Sequence, residues 1–268
     1  MHTALTKDTL FPRGPLGRLG RNVLLFNEIE STNACLLARA AELPDGTVAC
    51  AEYQTAGRGR LGRSWEAPRG AAVLISVLLK EPADSRLVAL ATLVGALAAC
   101  EAIEQATLCR PTVRWPNDIV LSGRKAGGVL VESTPVPPAA TRALAIGVGI
   151  NCLQQRGHFA GALAHTATSL EIESPQPVDR GAVARHLLEC LDAHLASPAT
   201  EHDARAILAA WKRRCEDLGA HVSLQHDRHT YAGTVLDIDD NGDLLVQLDE
   251  GARRYFAAAT TTRRAEPS

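Results

Sequence analysis

The segment 57–70, GRGRLGRSWEAPRG, contains four glycines and four arginines and is well suited to hold an anion. Arginine carries a permanent charge on a planar fork that matches phosphate and carboxylate oxygens. Glycine gives the backbone a conformational freedom that other residues lack. Because Arg58, Arg60 and Arg63 are separated by glycines, they fit neither a buried core nor a simple turn. The segment therefore predicts a mobile loop that folds over a negatively charged ligand.

Three further stretches contain residue types that do chemistry in other proteins. They are STN at 31–33, RWPND at 114–118 with RKAGGVLVE at 124–132, and GVGIN at 147–151. Taken singly, each also has a purely structural explanation. STN is a good helix N-cap, RWPND makes a proline turn with its tryptophan in the core, and GVGIN is a tightly packed strand.

Taken together, in their order and wording, STN, EYQTAGRGRLGRSW, VRWPNDI, RKAGGVLVE and GVGIN resemble the motifs of biotin protein ligases. The resemblance runs from about residue 23 to the C-terminus. It implies an ATP-dependent ligase that converts biotin to biotinyl-5′-AMP and pyrophosphate. The biotinyl group then passes to a specific lysine of the biotin carboxyl carrier protein of acetyl-CoA carboxylase. Biotin and ATP are the implied substrates, with Mg²⁺ as the metal ion.

The implied first step brings two anions together, the carboxylate of biotin and the α-phosphate of ATP. Unit charges about 4 Å apart repel by roughly 4 kcal/mol at an effective dielectric near 20. A fixed cation between them removes that repulsion and stabilises charge at phosphorus. By the resemblance, Lys125 is this catalytic residue, although a hairpin lysine without the neighbouring motifs is expected to be merely solvated. Asp118 is a candidate contact for Mg²⁺.

The resemblance also implies which residues bind the substrates. Those expected to bind biotin are Ser31, Thr32, Asn33, Gln54, Gly57, Arg58, Gly59, Arg60, Lys125, Gly127 and Gly149. Those expected to bind ATP or the adenylate are Arg58, Arg60, Arg63, Trp65, Asn117, Lys125 and Asn151. Because water destroys an acyl-adenylate, the arginine loop is expected to close over it as a lid.

The sequence departs from the family pattern in places. Arg114 stands where many relatives have lysine, which keeps the charge but changes its shape. Leu61 is an apolar residue inside the arginine loop and is expected to help the loop fold down. Glu66 adds a negative charge directly after the tryptophan, and the sequence gives no account of it.

Apolar periodicity and turn residues predict an α+β fold, with helices packed on a mixed, largely antiparallel sheet. This is the catalytic fold of biotin and lipoate ligases that the resemblance implies. Helices are expected at 31–43, 82–106, 178–196 and 201–218. Strands are expected at 47–53 and 71–79, in hairpins between 112 and 134, and at 142–152. Gly95, inside the second helix, is expected to let another element approach closely.

The chain is expected to divide into a tail at 1–20, a catalytic domain at 21–218 and a small SH3-like β-barrel at 219–268. The barrel is predicted from short alternating strands separated by polar turns. His221, His226 and His229 fall in this part. They are interpreted as residues of an exposed hairpin, because no acidic or cysteine partner stands at metal-ligand spacing.

The composition indicates a cytoplasmic protein. The 268 residues carry a net charge of −2, which argues against a general nucleic-acid binder. Seven scattered cysteines without a CxxC pair are typical of reduced thiols and argue against a disulfide framework. The apolar run at 87–100 is expected to be too short to span a membrane. About thirty residues precede STN without a recognition-helix pattern, so a monofunctional ligase without an N-terminal DNA-binding domain is expected.

Two alternatives remain open from the sequence. A lipoate or octanoyl transferase shares the fold, but the GRGRLGRSW and WPND motifs resemble the biotin branch. A regulator or scaffold that binds biotin without turnover is the second alternative, and the intact Lys125 and arginine loop argue against it. Whether the protein is a monomer or a homodimer is also open.

Overall fold

A seven-stranded sheet forms the larger part of the protein, whose structure is a computed structural model that describes residues 4–138, 140–195, 201–258 and 260–263. The strands run in the order β1-β2-β3-β7-β6-β5-β4. β1 and β2 are parallel, and the other neighbouring pairs are antiparallel. The prediction of a mixed, largely antiparallel sheet is therefore confirmed. The strands are β1 (Val23–Phe26), β2 (Thr47–Ala51), β3 (Ala72–Pro82), β4 (Thr112–Arg114), β5 (Asp118–Leu121), β6 (Arg124–Val136) and β7 (Thr141–Asn151).

Helices cover this sheet. They are α1 (Lys7–Leu10), α2 (Thr32–Ala38), α3 (Arg86–Ala106), α4 (Leu163–Thr166), α5 (Leu170–Glu173), α6 (Arg180–Leu195) and α7 (Glu201–Arg214). α3 packs against β6 and β7 on one side and against α6 and α7 on the other. A Cβ at Gly95 of α3 would lie 2.8 Å from Cγ1 of Val129 in β6. The predicted close approach at this glycine is thus confirmed.

The apolar run expected to be too short for a membrane belongs to the 21-residue helix α3. Among the described residues, α3 is the one helix long and apolar enough to cross a bilayer. However, 72% of its most apolar 18-residue stretch is buried inside the protein. Its composition is therefore explained by its place between the sheet and two helices, as a core helix.

The N-terminal segment differs from the predicted tail. Leu10 and Leu19 are buried in the main core. The carboxylate of Asp192 on α6 accepts backbone N–H bonds from residues 17, 18 and 19 at 2.8–3.0 Å. The segment from residue 4 to residue 20 is therefore packed against the catalytic part rather than projecting from it. The apolar residues responsible are too widely spaced to give a periodic pattern.

The C-terminal part forms a separate five-stranded antiparallel sheet with the order β11-β10-β9-β8-β12. Its strands are β8 (His221–His226), β9 (His229–Ile238), β10 (Leu244–Leu248), β11 (Arg253–Phe256) and β12 (Thr262–Arg263). The prediction of a small C-terminal β-unit is confirmed, while the exact domain limits stay predictions. Residues 1–3 of the predicted tail, residue 196 of a predicted helix and residues 264–268 of the predicted barrel lie outside the described residues.

The two parts meet at the RWPND turn. Trp115 is buried, and its indole Nε1 donates to the carbonyl of Gly242 at 2.9 Å. Its backbone N–H donates to the carboxylate of Asp217 at 2.6 Å. The C-terminal sheet thus fixes the turn that carries two candidate site residues, Asn117 and Asp118.

Candidate active site

A cavity of about 160 Å³ opens on one face of the large sheet. It lies between the start of α2, the arginine loop, strands β3, β6 and β7, and the RWPND turn. Its lining comprises Ser31, Thr32, Asn33, Gln54, Arg58, Gly59, Arg60, Arg63, Ser64, Trp65, Leu74, Ile75, Ser76, Arg114, Trp115, Pro116, Asn117, Asp118, Lys125, Gly128, Val129, Leu130, Gly147, Val148 and Gly149. Residues far apart in the sequence are therefore brought to one place.

Three of the predicted site residues, Gly57, Gly127 and Asn151, are not in this lining. A Cβ at Gly57 would lie 2.4 Å from the carbonyl oxygen of Trp65, and one at Gly127 would lie 2.8 Å from that of Gly149. These two glycines shape the wall by allowing close backbone approach. Asn151 is buried, and its amide is bonded to the Thr168 carbonyl at 3.0 Å and to the Gln154 side chain at 2.8 Å. Its predicted role in adenylate binding finds no support in this geometry.

Four polar side chains, here called the head cluster, meet at one end of the cavity: Thr32, Asn33, Gln54 and Ser76. Gln54 Oε1 accepts from the Thr32 backbone N–H at 2.8 Å and lies 3.0 Å from Thr32 Oγ1. Ser76 Oγ lies 2.7 Å from both Thr32 Oγ1 and Asn33 Oδ1. Ser31 stands beside them as the N-cap of α2, where its hydroxyl accepts from the Ala34 N–H.

The head cluster has fewer hydroxyl hydrogens than oxygen–oxygen contacts. The two hydroxyl groups of Thr32 and Ser76 supply two protons to three oxygen–oxygen contacts, and both ends of the chain are amide oxygens that only accept. One contact is therefore without a hydrogen. A ligand that donates N–H groups would complete the cluster, whereas a ligand offering acceptors alone would not.

Ser76 is the cluster member that sequence reasoning missed. It stands in the middle of the apolar strand AAVLISVLL and is fully buried. A buried hydroxyl must be hydrogen-bonded, so a lone serine in such a strand is a signal for a polar partner. Across the sheet, Ser76, Gly147 and Leu130 form one row. The Asn33 amide lies over this row, because a Cβ at Gly147 would come within 2.5 Å of Asn33 Oδ1.

Lys125, the candidate catalytic residue, lies at the other end of the cavity. Its Nζ is 2.5 Å from Asp118 Oδ1 and 5.8 Å from the ring centroid of Trp65. A Cβ at Gly128 would lie 3.3 Å from Lys125 Cε, so the glycine gives the lysine side chain room to lie along β6. The cavity therefore has an uncharged hydrogen-bonding end and an end with a cation.

The hairpin that carries Lys125 is held from outside by Glu173 at the end of α5. The carboxylate accepts from Ser122 Oγ at 2.7 Å, and from Arg124 Nη2 and Thr168 Oγ1 at 2.5 Å. Burial acts to raise the pKa of Glu173, but the hydrogen bonds from Thr168 and Ser122 and the charge of Arg124 outweigh it. The pKa of Glu173 is therefore below its ordinary value.

Asn117 is oriented by its neighbours. Its Nδ2 donates to the Val129 carbonyl at 2.7 Å, which leaves Oδ1 to accept from Arg60 Nη1 at 3.3 Å. The second guanidinium nitrogen of Arg60 donates to the carbonyls of Ala258 and Thr261. Burial lowers the pKa of Arg60, and the charge of Asp118 only partly offsets this. Arg60 thus joins the arginine loop to both the RWPND turn and the C-terminal part.

Residues 57–66 are the arginine loop, which is called the lid from here on. The lid folds back on itself. The Gly59 N–H donates to the Arg63 carbonyl at 2.7 Å, and the Trp65 N–H donates to the Gly57 carbonyl at 2.9 Å. The indole of Trp65 lies against Gly149, where a Cβ would be 2.8 Å from the ring, and its Nε1 is buried without a partner. Leu61 and Glu66 are exposed.

The three barrel histidines lie apart from the cavity. His221 contacts Asp249, His226 contacts Thr261, and His229 contacts the carbonyl of Asp227. Within the described ranges, His, Cys, Asp and Glu side chains form no group of three or more that could hold a metal ion.

Comparison with known proteins agrees with this geometry. Residues 25–151 match the biotin/lipoate A/B protein ligase family, and residues 217–260 match the biotin protein ligase C-terminal domain. The bifunctional ligase/repressor BirA of Bacillus subtilis is 31% identical over 241 residues, which cover 90% of this chain and 74% of that protein. The biotin–[acetyl-CoA-carboxylase] ligase of Mycobacterium tuberculosis is 33% identical over 242 residues, covering 85% of this chain and 84% of that protein.

Solved structures agree as well. Biotin protein ligase from Aquifex aeolicus in complex with biotin and ATP superimposes with a TM-score of 0.77 at 26% sequence identity. The match covers 92% of this chain and all of that one. On these similarities of sequence and structure, extending over both the catalytic and the C-terminal part, the chain belongs to the biotin protein ligase family.

Proposed function

We propose that the protein is an ATP-dependent ligase that activates biotin as biotinyl-5′-AMP and transfers the biotinyl group to a lysine of the biotin carboxyl carrier domain of acetyl-CoA carboxylase. The observation that carries the proposal is the polarity of the cavity. One end offers the head cluster, which lacks a hydrogen, and the other end offers Lys125. Biotin has the matching polarity, with a ureido head that donates N–H groups and a carboxylate tail.

The head cluster would bind the ureido group of biotin, with the ring system against the apolar side chains of Leu74 and Leu130 in the lining. Few polar groups in an otherwise apolar slot give orientation and specificity. The ureido N–H would donate to the oxygen atoms of the Gln54–Thr32–Ser76–Asn33 chain, which has one hydrogen fewer than contacts. Biotin bound this way would direct its carboxylate towards Lys125.

In the first step, a carboxylate oxygen of biotin attacks the α-phosphorus of ATP. The new bond is an acyl–phosphate anhydride, and the bond to the pyrophosphate oxygen breaks. Lys125 would stand between the two anions, where its charge reduces their repulsion and stabilises the negative charge that develops at phosphorus. The ammonium is already held in this region by Asp118.

Mg²⁺ would fit this site only with the nucleotide present. The ion commonly uses one or two carboxylates together with phosphate oxygens and water. Asp118 offers one carboxylate beside Lys125, and the described residues provide no cluster of acidic groups around it. Asp118 would therefore hold the ion jointly with the phosphates of ATP, and the ion would neutralise phosphate charge when bound.

The lid would then protect the adenylate. Arg60 and Arg63 are in the cavity lining, where their charge can meet the phosphate, and Arg58 lines the cavity near Glu132, beside the head cluster. Trp65 brings a buried, unpartnered indole N–H to the same wall. In the second step the acceptor lysine attacks the acyl carbonyl, an amide bond forms, and AMP leaves.

The partner is proposed to be a carrier protein domain and not DNA, which the net charge of −2 supports. A cytoplasmic location is proposed as well. All seven cysteines are free thiols, as expected in a reducing compartment.

Two alternatives are less well supported. The dithiolane ring of lipoate has no N–H group to complete the head cluster, and the match to a biotin-specific C-terminal domain also favours biotin. A binding module without turnover would not need a lysine held inside the cavity beside the arginines of the lid.

The test is to incubate the purified protein with a biotin carboxyl carrier domain, ATP and Mg²⁺, supplying either biotin or lipoate. Intact mass spectrometry of the carrier domain then reports any added acyl group. The proposal expects one biotinyl group on the carrier and none on a variant whose acceptor lysine is replaced by arginine. A carrier domain that gains a lipoyl group but no biotinyl group would contradict the proposal. A carrier domain that gains no group although the protein binds biotin would contradict it as well.

A further inference from the structure

Glu132 is the last residue of the RKAGGVLVE motif and lies on β6, two residues beyond Leu130 and therefore on the same face of the sheet. It stands just outside the cavity lining, next to the head cluster. Its side chain is half-buried, with 28% of it exposed. A carboxylate in this position is costly unless it is bonded, so its partners are informative.

The two carboxylate oxygens of Glu132 face different partners. Oε2 accepts from Asn33 Nδ2 at 2.9 Å. Oε1 lies 3.7 Å from Arg58 Nη1, whose side chain is 57% exposed. The second contact is long and solvated and is therefore weak. The bond to Asn33 is the one through which Glu132 can act.

This bond and a second one from the same nitrogen fix which way the Asn33 amide points. Asn33 Nδ2 also donates to the Leu130 carbonyl at 3.1 Å. With the amide reversed, its oxygen would face a carbonyl and a carboxylate, which both only accept. The amide oxygen must therefore point to Ser76.

The orientation of the Asn33 amide then determines the donor and the acceptor of each further hydrogen bond in the head cluster. Because Asn33 Oδ1 only accepts, the Ser76 hydroxyl donates to it across 2.7 Å. The Thr32 hydroxyl then donates to Ser76, because these two oxygens are 2.7 Å apart, closer than the 3.0 Å between Thr32 Oγ1 and Gln54 Oε1, and Ser76 has no second hydrogen. The contact left without a hydrogen is the one between Thr32 Oγ1 and Gln54 Oε1. These are the acceptors that face the ligand.

We propose that Glu132 is a positioning residue for the biotin head. Together with the Leu130 carbonyl, its carboxylate fixes the Asn33 amide and so sets the direction of the hydrogen bonds in the head cluster, so that Thr32 and Gln54 present acceptors to the ureido N–H. Glu132 does not touch the ligand. The inference rests on the proposed function, because it takes the head cluster to be the ureido site.

The experiment compares Glu132→Ala with Glu132→Gln in biotin-dependent pyrophosphate release. The alanine variant loses the acceptor, so its KM for biotin should rise about tenfold, the effect of one charge-assisted hydrogen bond. Its kcat and its KM for ATP should stay within about twofold of the parent values, because Lys125 and the lid are unchanged. Glutamine keeps an oxygen that accepts from Asn33, so its KM for biotin should stay within about threefold of the parent value.

Glu81→Ala is the matched control. Glu81 is also a carboxylate on the large sheet, and its ion pair with Arg18 at 2.6 Å lies outside the cavity lining. Its loss should lower the melting temperature and leave the KM for biotin unchanged. Glu132→Leu, which keeps the side-chain volume without an acceptor, replaces the alanine variant if that variant does not fold.

A KM for biotin in Glu132→Ala within twofold of the parent value would overturn the inference. Equal losses in Glu132→Ala and Glu132→Gln would overturn it too, since the charge and not the acceptor would then be responsible. In both cases an active parent leaves the proposed function standing. A parent protein that releases no pyrophosphate with biotin would contradict the proposed function itself.

Discussion

The Nζ atom of Lys125 lies 2.5 Å from Oδ1 of Asp118, so the candidate catalytic cation is paired with a carboxylate at the cavity. The lysine is 35% exposed and the aspartate 26%, and pairs at such exposure are of modest strength. A phosphate can therefore replace the carboxylate as the partner of Lys125 at little cost. The pair keeps the ammonium at the cavity instead of in bulk solvent, which favours a geometry ready for the reaction.

Arg60→Ser should reduce the retention of biotinyl-AMP without preventing its formation. Arg60 joins the lid to Asn117 and to the carbonyl of Thr261. Without it, biotinyl-AMP should still form but leave the protein about tenfold faster, as expected for the loss of one charged hydrogen-bonding group. The measurement is the adenylate retained after rapid gel filtration, with the exposed Arg39→Ser as the control. Retention equal to the parent would show that Arg60 does not hold the lid closed.

Gly147→Ala should weaken biotin binding through Asn33. The added Cβ would come within 2.5 Å of Asn33 Oδ1, so the amide must move away from Ser76. Overpacking of this kind costs about 1–3 kcal/mol, which is on the order of tenfold or more in the KM for biotin. Gly157→Ala is the control, because a Cβ there meets no atom within 4 Å. An unchanged KM in Gly147→Ala would mean that Asn33 is not part of the biotin site.

Glu173→Gln should destabilise the protein at neutral pH more than at acid pH. The pKa of Glu173 is lowered in the folded state, so its contribution is present above the unfolded-state pKa of about 4.3 and is lost as the pH falls through the folded-state value. Loss of its charged hydrogen bonds should reduce the free energy of unfolding by about 1–2 kcal/mol at pH 7.

Chemical denaturation at pH 7 and at about pH 3 measures this difference. The free energies of unfolding of the parent and the Glu173→Gln variant should differ less at the lower pH than at pH 7. Glu42→Gln, at an exposed position, is the control, and its free energy of unfolding should equal that of the parent at both pH values. A stability gap that stays constant with pH would contradict the role assigned to the Glu173 carboxylate.

Much of the cavity could be predicted from the sequence because its residues stand in compact motifs. Thr32, Asn33, Gln54 and Lys125 all line it, although they come from three separate parts of the fold, α2, the segment after β2, and β6. Short motifs of glycine and charged residues have few purely structural explanations when they occur together. The sheet could be predicted in outline for a similar reason, since apolar strands between turn residues give a clear local signal.

What the sequence did not predict depends on long-range contacts. Ser76 is a single polar residue in an apolar strand, and only the fold places it opposite Asn33. Asn151 ends the GVGIN motif, but the fold turns its amide to Thr168 instead of to the cavity. The packing of residues 4–20 arises from isolated apolar side chains and from the backbone bonds to Asp192, neither of which has a periodic pattern.

The most direct test of the account is the rate of biotin-dependent pyrophosphate release by Lys125→Gln in a single turnover. Lys125 is placed at the point where the carboxylate meets the α-phosphate, so its loss should remove about 2–3 kcal/mol of transition-state stabilisation, roughly a hundredfold in rate. Lys80→Gln, which lies on β3 outside the cavity lining, is the control and should react like the parent. A rate for Lys125→Gln close to that of the parent would contradict the central claim that this lysine supplies the cation for adenylate formation.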